Sequence, residues 1–134
     1  MGMELKLKKY AKLLVEVGVN IQKGQRLVIN CPVECAEFAR LCISAAYDAG
    51  CSEVVMNWSD DFAAREKYLR ADSSVFESYP VWQREFLNGY AREGAAFLKI
   101  YASDPENLKG VDAKRISDFQ KASGKALESF RVLQ

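Results

Sequence analysis

Apolar residues recur at helical spacing near the start of the chain, at Leu7, Tyr10, Ala11, Leu14 and Val17, with Lys8, Lys9, Lys12 and Glu16 mostly opposite. The spacing predicts an amphipathic helix over 5–17, closed by Gly18 in the left-handed conformation that glycine tolerates. After the turn Gln22-Lys23-Gly24-Gln25 the pattern changes to an apolar run, Arg26-Leu27-Val28-Ile29-Asn30, which predicts a strand buried on both faces. Pro32 fits the first position of a new helix, where its missing N–H costs nothing. Residues 33–49 continue that helix: Cys35, Phe38, Ala39, Cys42, Ala45, Ala46 and Ala49 form one apolar stripe, and Gly50 ends it. A second strand, 53–58, follows at once. Strand, helix and strand joined by short links make a βαβ unit, so the two strands are expected to be parallel.

Ser59, Asp60 and Asp61 then offer cap oxygens for a helix reaching about residue 71, on which Phe62, Ala63, Tyr68 and Leu69 are a sparser apolar set. Asp72-Ser73-Ser74 breaks it. Another helix starts near Pro80, carries Val81, Trp82, Phe86, Leu87 and Tyr90, and closes at Gly94. Residues 95–101 predict a third buried parallel strand with Lys99 near its end or edge. The stretch 103–110 is rich in turn formers, and Asp112 caps a last helix on which Ile116, Phe119, Ser123, Ala126, Leu127 and Phe130 share a face. Gly124 inside that helix points to close packing or a bend. Phe130 to Gln134 holds neither a capping glycine nor a proline stop, so the chain is expected to continue past Gln134. Neither an internal repeat nor a linker interrupts the pattern. The expected fold is α/β, a three-layer sandwich with a mainly parallel sheet of at least three strands flanked by helices. Its 134 residues suit a single domain over 1–134.

Composition narrows the chemistry. The chain has no histidine, which excludes imidazole triads, His-bearing zinc sites and phosphohistidine chemistry within these residues. Nineteen Lys and Arg against eighteen Asp and Glu leave a net charge of +1, which supplies no global attraction to nucleic acid or anionic lipid. The cluster Lys6, Lys8, Lys9 and Lys12 reads as a solvated helix face rather than a phosphate-binding stripe. No apolar run approaches the roughly 18 residues of a membrane span, and charge enters at Glu4 and Lys6, so neither a membrane nor an export signal is expected and the predicted location is cytoplasmic. Cys31, Cys35, Cys42 and Cys51 contain no C-x-x-C spacing and read as small buried hydrophobes.

Ligands of open parallel sheets sit outside the carboxyl ends of the strands. Here those ends are Asn30-Cys31-Pro32, Asn57-Trp58-Ser59-Asp60-Asp61 and Ala102-Ser103-Asp104. None carries G-x-G-x-x-G or a P-loop, so a backbone cradle for a pyrophosphate is missing. Asp60 and Asp61 suit a magnesium pair or a receiver-like acidic cluster less well than the cap of a helix. Trp58 with Asn57 could line a small cleft, and Cys31 could gain reactivity from a helix start, but packing is the favoured role of both.

The stretch GVNIQKGQRLVIN at 18–30, preceded by Tyr10-Ala11-Lys12-Leu13-Leu14-Val15, resembles the opening of the thermophilic-type metalloaminopeptidases, the aminopeptidase T, aminopeptidase S and PepS family. The likeness continues through Phe76-Glu77-Ser78-Tyr79-Pro80 and Ile100-Tyr101-Ala102-Ser103-Asp104-Pro105-Glu106-Asn107-Leu108, then Gly110-Val111-Asp112 and Arg115-Ile116. It implies a protein about three times as long that acts as a homodimer and uses two divalent metals, zinc, cobalt or similar, to remove amino-terminal residues from peptides. The family's Glu, His and Asp metal ligands belong to its carboxyl-terminal domain. None carries over to a position here, so no catalytic, cofactor-binding or metal-binding residue is expected in this segment, and its first partner would be that catalytic domain. Two other readings compete: a freestanding module binding a small ligand or a protein around Asn30, Trp58 and Asp104, and a scaffold acting through exposed apolar surface.

Overall fold

A computed structural model describes residues 2–101 and 110–126 of the chain. The elements run α1 (Gly2–Leu13), β1 (Arg26–Pro32), α2 (Ala36–Asp48), β2 (Glu53–Ser59), α3 (Asp61–Arg70), α4 (Val81–Arg92), β3 (Ala96–Lys99) and α5 (Ala113–Ala126). The chain divides into two compact units, Met1–Ser59 with Gly94–Ala102, and Asp60–Glu93 with Ser103–Gln134.

The first unit holds the parallel three-stranded sheet of the α/β fold that the pattern predicts, with α1 and α2 packed against it. Its sheet has the order β2-β1-β3 and is parallel throughout, with Leu27 beside Val54 and Ala96, and Asn30 beside Asn57 and Lys99. Leu27, Ile29 and Cys31 alternate onto one face of β1. They join Leu98 of β3, Ala39, Cys42, Ala45 and Ala46 of α2, and Ala11 of α1 in one buried cluster. Val28, on the opposite face, is also fully buried, as the unbroken apolar run of β1 predicts. Each such aliphatic side chain contributes about 1.5–3 kcal/mol. Tyr10 of α1 meets Phe38 of α2, ring centroids 5.7 Å apart.

The amino-terminal ends of the strands are stitched together by the turns before them. Gly24 N–H donates to Gly50 O at 2.8 Å and Ser52 N–H to Gln25 O at 2.9 Å, while Gln25 Nε2 donates to Gly94 O at 2.9 Å. Gly50 has φ 95°, and the bonds from Gly50 N–H to Tyr47 O and from Cys51 N–H to Ala46 O close α2 in a Schellman motif that a side chain at Gly50 would strain.

Three local expectations are corrected. Gly18 does not end the first helix in a left-handed turn: α1 gives way to a π-helical turn, Leu14–Gly18, and the left-handed residue is Asn20, φ 56°. The wider turn brings Val15 to the inner face and leaves Val17 exposed, while Tyr10, ahead of it in α1, is itself more than half exposed. Pro32 ends β1 rather than starting α2. Its ψ of 147° is extended, and a strand's last position does not need the missing N–H; a short 3₁₀ turn, Val33–Cys35, precedes α2. The third strand is shorter than predicted, although Ile100 N–H still donates to Asn30 O at 2.8 Å.

The second unit contains α3, α4 and α5 and a 3₁₀ turn, Ser73–Glu77. Phe76, fully buried in that turn, stacks on Tyr68 of α3 at 5.3 Å and lies 5.2 Å from the Arg115 guanidinium of α5. Arg115 also donates from Nη1 to Tyr68 O at 3.0 Å, so one aromatic and one cation hold three elements together. Asp112 caps α5 by accepting from Lys114 N–H at 2.9 Å, and the helix runs on through Gly124. The predicted loop over 103–109 and the helix face at Leu127 and Phe130 lie outside the described residues.

Candidate functional site

The parallel sheet of the first unit directs attention to the carboxyl ends of its strands. β1 links through α2 to β2 on one side, and β3 then pairs on the other, so the strand order reverses at β1. At that end Asn57, Asn30 and Lys99 occupy one row across the three strands and share one face. Asn57 Nδ2 donates to Asn30 Oδ1 at 2.7 Å in a half-buried setting. The Lys99 ammonium lies 5.2 Å from the centre of the Tyr101 ring, just past the end of β3.

The other face of the same end carries Cys31 beside Trp58. The Cys31 thiol is buried and donates to Pro32 O at 3.1 Å. Burial above all, then the neighbouring Cys35 and Glu34, pushes it above the ordinary thiol range. Burial likewise raises Cys51 and, with Cys31 nearby, takes Cys42 up to about 11. Shifted in this direction, these thiols hold their protons more firmly than a free cysteine and pack as small core residues, and the shift at Cys31 runs opposite to the one that activates a nucleophile. All four cysteines are free.

The acidic pair Asp60-Asp61 belongs to the second unit, where Asp60 Oδ1 accepts from Phe62 N–H at 2.9 Å and Asp60 O accepts from Ala64 N–H at 2.9 Å. That is a helix cap, the role favoured over a magnesium pair. Asp104 lies outside the described residues. The lysines of α1 border a groove of about 620 Å³ in which Lys8, Lys9 and Lys12 alternate with Glu16 and Asp48 over an apolar floor at Leu5. The mixed signs make it a poor anion stripe.

The side chains of the described residues do not assemble a metal site. Among the described residues no three of Asp, Glu and Cys gather as ligands, and the chain has no histidine. No helix among them is long and apolar enough to cross a membrane. Lys99 is the member of the polar row that sequence reasoning passed over. Its alignment with Asn30 depends on strand order and register, which a single sequence does not encode, whereas the strand-end position of Asn30 and Asn57 was legible.

The thermophilic metalloprotease (M29) family matches residues 3–133. Aminopeptidase AmpS of Bacillus subtilis (strain 168) is 48% identical over 126 residues, covering 94% of this chain and 31% of that protein. Aminopeptidase T of Thermus thermophilus is 34% identical over 120 residues, covering 90% of this chain and 29% of that protein. A solved structure of wild-type AmpT from Thermus thermophilus superimposes with a TM-score of 0.89 at 32% identity, over 97% of this chain and 33% of that one. The chain thus spans about a third of the length of the relatives it matches.

Proposed function

Because this chain belongs to the thermophilic metalloprotease (M29) family, we propose that it is the amino-terminal, non-catalytic α/β domain of a metal-dependent aminopeptidase. The observation that carries this reading is that 90–96% of the chain matches about a third of each relative, all aminopeptidases by name. Family membership brings metal dependence and peptide substrates. The chain has no imidazole and its described residues gather no cluster of carboxylates, so the two divalent ions implied by the resemblance belong to a carboxyl-terminal catalytic domain, this segment's partner. The complete polypeptide is a homodimer working in the cytoplasm, and residues 1–134 wall its cleft without touching the reacting atoms.

The test is turnover of leucine p-nitroanilide with zinc, cobalt or manganese added in turn. The 134-residue chain is expected to be inactive with each ion and the complete polypeptide active. Robust metal-dependent turnover by the short chain would overturn the assignment.

A further inference from the structure

The polar row at the carboxyl end of the sheet is more ordered than a solvated edge requires. Asn30 spends its Oδ1 on Asn57 at 2.7 Å, which fixes the plane of its amide and leaves its Nδ2 donors without a partner among the described residues. Lys99 stands beside Asn30 in register on the adjacent strand, and adjacent strands lie about 4.8 Å apart. No carboxylate pairs with Lys99 among the described residues, and its ammonium lies 5.2 Å from the ring of Tyr101, two residues beyond it in the chain. An amide donor and an ammonium carried in register on adjacent strands, at the end where parallel sheets take their ligands, suit the two oxygens of a single carboxylate. A phosphate would ask for more, a glycine-rich turn or a second cation, and the end of β1 and the turn after it offer Pro32, Val33 and Glu34 instead.

We infer that Lys99 and Asn30, with Asn57 as the positioning residue, form a carboxylate-binding subsite that takes the free carboxyl terminus of a short peptide. The peptide, as opposed to a bare carboxylate, rests on the aminopeptidase reading above. In a protein that cuts at the amino end of its substrate, such a contact recognises the far end and favours short peptides over long ones. Charge-assisted hydrogen bonds of this kind are stronger than neutral ones, and removing the cation removes most of the attraction.

The experiment titrates the isotopically labelled chain, free of metal, with N-acetyl-alanyl-alanine, with the same compound as its carboxyl-terminal amide, and with acetate. The Asn30 and Asn57 side-chain amide resonances are followed by NMR. The blocked amino terminus leaves an aminopeptidase nothing to cut, so the result is independent of whether the complete polypeptide is active. The free-acid peptide is expected to shift both amides saturably and its amide to leave them in place. Lys99→Met is expected to weaken binding about tenfold or more, Lys99→Arg to retain it, and Asn57→Ala to weaken it by a smaller factor. Equal affinity for acetate and the peptide would overturn the peptide assignment. Unmoved Asn30 and Asn57 amides, or binding unchanged in Lys99→Met with the spectrum otherwise folded, would overturn the subsite altogether.

Discussion

The two units of the chain solve the same problem with different means. The first buries a continuous aliphatic set, Leu27, Ile29, Ala39, Cys42 and Leu98 among them, against a parallel sheet. In the described part of the second, the buried side chains are Phe76, Leu87 and Asn88, while Phe62, Val81 and Trp82 are each more than 60% exposed. Polar devices take up the difference there: Asp60 caps α3, Asp72 accepts from Ser74 N–H at 3.0 Å, and Arg115 gathers Phe76, Tyr68 and Ser73. Burial without direction suffices where a sheet supplies a flat apolar surface. Helices joined by turns with few apolar side chains depend on directed contacts, each holding a particular pair of elements.

Ile29→Ala is the hardest test of the first unit. Ile29 is fully buried on the central strand with neighbours on both sides of the sheet order, so the cavity has little freedom to collapse, and the expected loss is about 4 kcal/mol. Urea unfolding would measure it, and amide exchange would locate it in β1, β2 and β3. A loss below about 1 kcal/mol would mean that this face is not the closed core described.

Phe76→Ala probes the second unit and is expected to cost about 3 kcal/mol, at the low end for a buried aromatic, because the Arg115 side chain can settle into part of the space. Exchange protection should fall first in α3 and α5, the two helices that Arg115 and Phe76 join. If β1 amides lost protection equally early, the contrast between the units would fail as a description of their stability.

The sequence disclosed the first unit better than the second, and the reason is physical. Leu27-Val28-Ile29 and the stripe through Ala39, Cys42 and Ala46 are local patterns whose burial follows from periodicity alone. Val17 misled because the π-helical turn at Leu14–Gly18 changes the residues per turn, and nothing in the spacing announces that. Phe76 was visible only as part of a resemblance, since its partners Tyr68 and Arg115 lie on separate helices. The candidate subsite divides in the same way. Asn30 and Asn57 could be placed at strand ends from the sequence, but the neighbourhood of Lys99 needed the order β2-β1-β3.

The smallest expected effect isolates one of the second unit's polar devices. Asp72 accepts hydrogen bonds from Ser74 N–H at 3.0 Å and from the Ser74 hydroxyl at 2.9 Å, and these, with the Arg115 charge nearby, hold its carboxyl below the ordinary range. A carboxyl depressed in the folded state stabilises that state above its unfolded pKa of about 3.9, and the contribution disappears as pH falls through the folded value. Asp72→Asn keeps an acceptor for the Ser74 N–H but removes the charge, so the variant should melt slightly below the parent at pH 7 and approach it at pH 2–3. Melting curves at the two pH values measure the gap between parent and variant. A gap that stayed constant, or widened in acid, would show that the Asp72 charge does not support the turn and that Phe76 and Arg115 hold it without help.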